Sequence, residues 1–235
     1  MAAALPDLSD TEREAALRDE WENLGRTAAE FAHLPELFDR TTIVGRERLD
    51  ALAREGGQAV FVSGHFADWE VMAIVLHRLG LKTAIVYRAA NNPLVDEMII
   101  DLRAGAMSRV LLPKGKRGGR ELLSAVRDGL SLCLLTDQRL SDGVEATLLG
   151  RPAMTATAAA RIALRSNLPV IPLQIVRDPG VRFTLTVHEP LDVPRTGDSQ
   201  ADTLALTQAI NDVLGTFIRA APGQWLWFHR RWKPA

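Results

Sequence analysis

Short apolar runs alternating with amphipathic helical stretches constrain this chain more than any other feature. The run Ala59-Val60-Phe61-Val62 follows the Gly56-Gly57 break and is too short for a helix, so it reads as a buried strand. It leads straight into Gly64-His65-Phe66-Ala67-Asp68-Trp69-Glu70, after which Val71, Ile74, Val75 and Leu79 fall on one helical face that stops at Gly80. Strand, short loop and helix form the unit, and it recurs. Residues 83–87 read as a strand, Asn92-Pro93 supplies an N-cap and an N1 proline for a helix to about Arg103, and residues 110–113 make a short strand. A helix over 120–128 closed by Gly129, a buried strand over 130–136, a helix over 155–165 and a strand over 169–176 follow, the last with an antiparallel partner at 182–188. Leu206, Ile210, Val213, Leu214, Phe217 and Ile218 mark a last helix before Pro222. Leu17, Trp21, Leu24, Ala28 and Phe31 mark a first one, behind the capping-box spacing of Ser9 and Glu12. The pattern predicts an α/β fold: one domain over 1–235, a mostly parallel central sheet with helices on both faces, and residues 1–40 as a helical part packed on it.

Composition narrows the function classes. With 28 Lys plus Arg against 29 Asp plus Glu, the formal net charge is -1, which disfavours a generic polyanion binder, and no nucleic-acid partner is expected. The single cysteine, Cys133, lies in the apolar strand run and excludes an intramolecular disulfide, in keeping with a reducing compartment. No stretch reaches the ~18 to 20 apolar residues of a membrane-spanning helix, so any membrane contact is expected to be peripheral. No His, Cys and acid cluster has metal-ligand spacing, and neither a metal nor a cofactor is expected.

In open α/β sheets ligands bind beyond the carboxyl ends of the strands, which is where the pattern puts His65. Glu70 lies in the first turn of the following helix. Its carboxylate can fold back to accept a hydrogen bond from one imidazole nitrogen and leave the other as a base. The alternative is a histidine that caps the strand and a first-turn acid favoured by the helix dipole. Arg88 closes the strand at 83–87 on the same edge, either to hold a phosphate or an oxyanion or to form a rim salt bridge with Asp96. Asp137 and Gln138 end the strand at 130–136, where they bind hydroxyls of a ligand or, for Asp137, cap backbone N–H groups. The basic, glycine-rich stretch from Lys114 to Arg120 lacks nucleotide P-loop order and reads as a solvated turn, with a grip on phosphate as the alternative.

The segment Gly64 to Glu70 resembles the histidine, four residues, acid motif of bacterial glycerolipid-type acyltransferases. It is closest to the branch that adds secondary lauroyl and myristoyl chains to lipid A. Trp21 to Arg26, Tyr87-Arg88 with Asn92-Pro93-Leu94, Asp137-Gln138, Leu149 to Thr155 and Pro222 to Lys233 fall in the family's order. The resemblance implies transfer of a fatty acyl chain from an acyl carrier protein or coenzyme A thioester, a co-substrate and not a cofactor, to a hydroxyl of a lipid A precursor or related glycolipid. His65 would be the general base, Glu70 the group that orients it, and Arg88 and Asp137 substrate-binding residues, at the cytoplasmic face of a bacterial inner membrane. Two departures are visible. The apolar N-terminal helix usual in the branch is missing here, and Ala67-Asp68 replaces a common glycine-asparagine pair, bringing a second carboxylate near His65. Acylation of phosphatidylinositol mannosides, thioester hydrolysis by the same dyad, and noncatalytic lipid binding are the competing readings.

Overall fold

In the computed structural model, which describes residues 1–114 and 118–232, the apolar run that follows Gly56-Gly57 becomes β2 (Val60–Ser63), the middle strand of a seven-stranded sheet. Its companions are β1 (Thr41–Val44), β3 (Thr83–Tyr87), β4 (Leu111–Pro113), β5 (Ser131–Leu135), β8 (Val170–Asp178) and β9 (Arg182–Val187). The order is β1-β9-β8-β2-β5-β3-β4, and every pairing is parallel except β8 with β9. The expected α/β architecture, with one mostly parallel sheet, is therefore what forms.

Strand alternation explains the two-sided core. Val60 and Val62 point into one apolar cluster, together with residues of α5 (Gly118–Arg127), α6 (Ala158–Ser166) and α7 (Ser199–Ala220). Ala59 and Phe61 point into the other, against α3 (Glu70–Arg78), α2 (Arg46–Glu55) and the 3-10 segment Phe31–Arg40. Both sides of β2 are buried, so its sequence is continuously apolar rather than alternating. Phe61 is fully buried, which stabilises the fold by roughly 1.5–3 kcal/mol.

α1 (Asp10–Glu30) starts at the Ser9 and Glu12 capping box, and α4 (Pro93–Ala104) has Asn92 as its N-cap, both as expected. Four elements were not foreseen: β1, α2 and the two strands of a separate antiparallel hairpin, β6 (Arg139–Leu148) and β7 (Arg151–Thr155). The hairpin turns at Leu149 and Gly150, both at positive φ (52° and 74°), the geometry of a two-residue turn matched to strand twist. Most of β6 is not buried, so it shows no apolar alternation to read, and the helix expected from Thr155 begins at Ala158 instead.

Candidate active site

Parallel register brings together two residues far apart in the chain. Ser63 of β2 pairs with Leu135 of β5, so His65 and Asp137 each lie just past an aligned strand end. The His65 ring, 13% exposed, places Nδ1 2.8 Å from Asp137 Oδ1. Asp137 Oδ2 accepts two further bonds, from the His65 backbone N–H and from Trp225 Nε1–H, both 2.8 Å long. Burial alone would raise the pKa of this carboxyl. The positive charge and hydrogen bonds of His65, with the bond from Trp225, outweigh it and hold Asp137 at about 2, so it stays ionised.

Local backbone chemistry makes that approach possible. A Cβ on Gly64 would lie 2.7 Å from the Phe66 ring and 3.1 Å from the Asp137 carboxyl, so only glycine admits the carboxylate. Ala67 sits at φ 45°, a conformation costly for an L-residue, and is held there from two sides. Its carbonyl accepts from Asn23 Nδ2 (3.0 Å) and Thr27 Oγ1 (2.9 Å) of α1, and its N–H donates to the Gln224 carbonyl (2.8 Å). Leu226 N–H donates to the His65 carbonyl (3.0 Å), so the C-terminal tail clamps the loop as well.

The expected hydrogen bond between Glu70 and His65 is not formed. Glu70 is buried and makes a bidentate pair with Arg103 of α4, at 2.9 Å to Nε and 2.5 Å to Nη2. A guanidinium fork matches both carboxylate oxygens, a pairing that one imidazole nitrogen cannot equal. Asp68 does not face His65 either. It is fully buried, accepts the Glu70 N–H at 3.0 Å through one oxygen, and leaves the other without a partner. Burial first, then the Glu70 charge beside it, pushes its pKa up to about 8.

On its other side His65 opens onto a cavity of about 250 Å³, whose wall includes Trp69, Arg88, Arg103, Lys114, Gln138 and His229. Gln138 Nε2 lies 3.4 Å from His65 Nε2. Arg88 is exposed at this wall, while Asp96, its proposed salt-bridge partner, accepts instead from Tyr87 O–H (3.1 Å) and Ala90 N–H (2.8 Å). A second cavity of about 280 Å³ shares Val86, Lys114, Leu135 and Gln138 with the first and is otherwise mostly apolar, with Leu112, Leu122, Leu134, Ala158 and Ala159 in its wall. Two backbone donors of the loop, Phe66 N–H and Ala67 N–H, are committed to the Gly64 and Gln224 carbonyls and so are not free for an oxyanion. Gly115, Lys116 and Arg117 of the basic turn, and Lys233 of the tail, lie outside the described residues.

The sequence profile of the bacterial lipid A biosynthesis acyltransferases matches residues 1–234. The chain belongs to this family. It is thus an acyltransferase of the lipid A biosynthesis type, as its motifs had suggested. It is 24% identical over 237 residues to lipid A biosynthesis acyltransferase 2 of Shigella flexneri, covering 97% of this chain and 73% of that one. It is 23% identical over 237 residues to the lipid A biosynthesis myristoyltransferase of Escherichia coli strain K12, covering 97% and 71%. Against that family background, sequence reasoning placed His65, Arg88 and Asp137 at one sheet edge but missed Trp225 and Arg103 as contributors. Trp225 lay in the quoted tail motif. Its indole N–H had no visible target until β2 and β5 were known to be neighbours. Among the described residues no helix is long and apolar enough to cross a membrane.

Proposed function

We propose that the protein transfers a fatty acyl chain from a thioester donor, an acyl carrier protein or coenzyme A, to a hydroxyl of a lipid A precursor, with His65 as general base and Asp137 as its orienting partner. The observation that carries this reading is the His65 ring, tied at Nδ1 to a buried ionised carboxylate and open at Nε2 to a cationic cavity beside an apolar one. The acceptor hydroxyl displaces Gln138 from Nε2 and gives up its proton there as its oxygen attacks the thioester carbonyl. Asp137 keeps the proton on Nδ1 and stabilises the imidazolium that forms. The C–O bond forms, the C–S bond breaks, and the imidazolium proton goes to the departing sulfur. No covalent enzyme intermediate is needed.

The apolar cavity suits the acyl chain, and the cationic wall suits the negative charge of the tetrahedral intermediate and of the acceptor's headgroup. In this reading Glu70 acts through Arg103, fixing its guanidinium at the cavity wall. Arg88 and Lys114 offer further cationic contacts to substrate. The site then works at the cytoplasmic face of the inner membrane. Mass spectrometry of lipids after incubation with acyl thioesters and a disaccharide lipid acceptor tests the proposal. Acylated acceptor should form with wild type and fall ~10²–10⁴-fold with His65→Ala. Free fatty acid formed equally with and without acceptor would make the protein a thioesterase instead.

A further inference from the structure

We propose that the outer face of α4 docks on the surface of a lipid layer, with Leu94, Val95, Met98 and Leu102 entering its apolar zone. This rests on the reading above, in which the acceptor is a lipid. α4 has no buried residue at all. Its inward side is already furnished: Arg103 pairs with Glu70, Asp96 accepts from Tyr87 O–H and Ala90 N–H, and Ile99, Ile100 and Ala104 are half-buried beside them. Its outward side carries Leu94 at 75% exposure, Met98 at 54% and Leu102 at 36%, four residues apart and so in one stripe, with Val95 beside them. A surface helix that faces only water carries polar side chains along such a stripe.

A second exposed apolar feature is joined through the chain to a residue of the same cavity. Trp21 and Phe228 pack edge to face at 5.6 Å between ring centroids and remain 57% and 70% exposed. Phe228 immediately precedes His229, which lines the cavity, as Arg103 of α4 does. Two of the segments that form the cavity wall therefore present apolar side chains to solvent.

The kind of partner follows from charge and size. Glu97 and Asp101 are exposed along one edge of the α4 stripe, which disfavours an acidic carrier protein. Four side chains on one helix fall short of the ~800 Å² per partner of a stable interface between copies. A lipid layer needs neither charge nor a matching surface, and interfacial tryptophan suits it. Docking through α4 would set the cavity beside the layer that holds the acceptor, so the hydroxyl travels a short way to His65.

The test uses the full chain and phosphatidylcholine vesicles in a flotation assay, comparing wild type with the triple variant Leu94→Gln, Met98→Gln, Leu102→Gln. The side chains are exposed, so the melting curve should be unchanged; Leu94→Gln alone gives the same readout if the triple variant fails to fold. Wild type should float with vesicles with little dependence on salt, and the triple variant should bind at least about tenfold more weakly. Its transfer to acceptor embedded in vesicles should fall in proportion, while transfer to a water-soluble, short-chain acceptor stays at the wild-type rate. Equal flotation of the two proteins, or none by wild type, overturns the docking face. A wild-type dimer that the variant dissolves assigns the stripe to a second copy and overturns it too. Flotation as expected, without transfer to either acceptor, leaves docking in place and removes the acyltransfer reading instead.

Discussion

Replacing Asp137 with asparagine separates the two carboxylates that competed for His65. The amide is nearly the same size as the carboxylate, and its oxygen fits best where Oδ2 now accepts from the His65 backbone N–H and Trp225 Nε1–H. Its NH2 group then faces His65 Nδ1, which must become an acceptor and send the ring proton to Nε2. That tautomer cannot take a proton from a hydroxyl, so kcat should fall ~10²–10⁴-fold, or about 3–5 kcal/mol of barrier. The native carboxyl, lowered from 3.8 to about 2, contributes about 2 kcal/mol of stability. The folded state releases this proton more readily than the unfolded one, so the contribution is present above about pH 4 and lost as pH falls through about 2. Steady-state kinetics and pH-dependent melting check both expectations. Glu70→Gln is the comparison: it leaves Arg103 without its partner, and should cost stability and substrate affinity while the pH dependence of kcat keeps its shape. Asp137→Asn retaining kcat within roughly tenfold, with unchanged folding, would refute the assignment.

Two further substitutions probe the loop. Gly64→Ala puts a methyl 2.7 Å from the Phe66 ring and 3.1 Å from the Asp137 carboxyl; it should destabilise by about 1–3 kcal/mol and lower kcat more than KM changes, and a variant with wild-type melting and turnover would show that the close approach is dispensable. Asp68, raised from 3.8 to about 8, keeps a proton that the unfolded chain gives up, so between those values it lowers stability as pH rises, by up to ~1.4 kcal/mol per unit. Asp68→Asn removes this dependence; its melting temperature should exceed that of wild type increasingly from pH 5 to 8, and parallel curves would mean that the carboxyl ionises without penalty.

What the sequence could disclose was decided by whether a residue's role is local or depends on which strands become neighbours. β2, the His65 loop and α3 follow from contiguous residues, and their apolar runs and glycine breaks announce them. The Asn92 cap of α4 is equally local. The partner of His65 is not. Glu70 is five residues from the histidine and Asp137 is 72, so proximity in the chain favours the wrong carboxylate. What reverses the choice is the insertion of β5 between β2 and β3, which puts Asp137 against the imidazole, and the inward side of α4, which gives Glu70 a guanidinium. β1 and α2 escaped notice because a four-residue edge strand and a mostly polar helix carry little periodic signal.

The same two events give the Gly64–Glu70 segment a division of labour. Its first carboxylate, Asp68, is sealed away from solvent against its own backbone, and its second, Glu70, is neutralised by Arg103. The unpartnered oxygen of Asp68 makes no bond to the imidazole and both oxygens of Glu70 are taken, so the ring finds its carboxylate at the end of the neighbouring strand. Asp137 can serve there because Trp225 and the His65 backbone N–H occupy its other oxygen. A carboxylate with one oxygen committed to two fixed donors and the other to the ring has a single orientation, and so does the ring. Rotational order at His65 therefore comes from β5 and from the C-terminal tail, elements that reach the site only once the sheet has closed around β2.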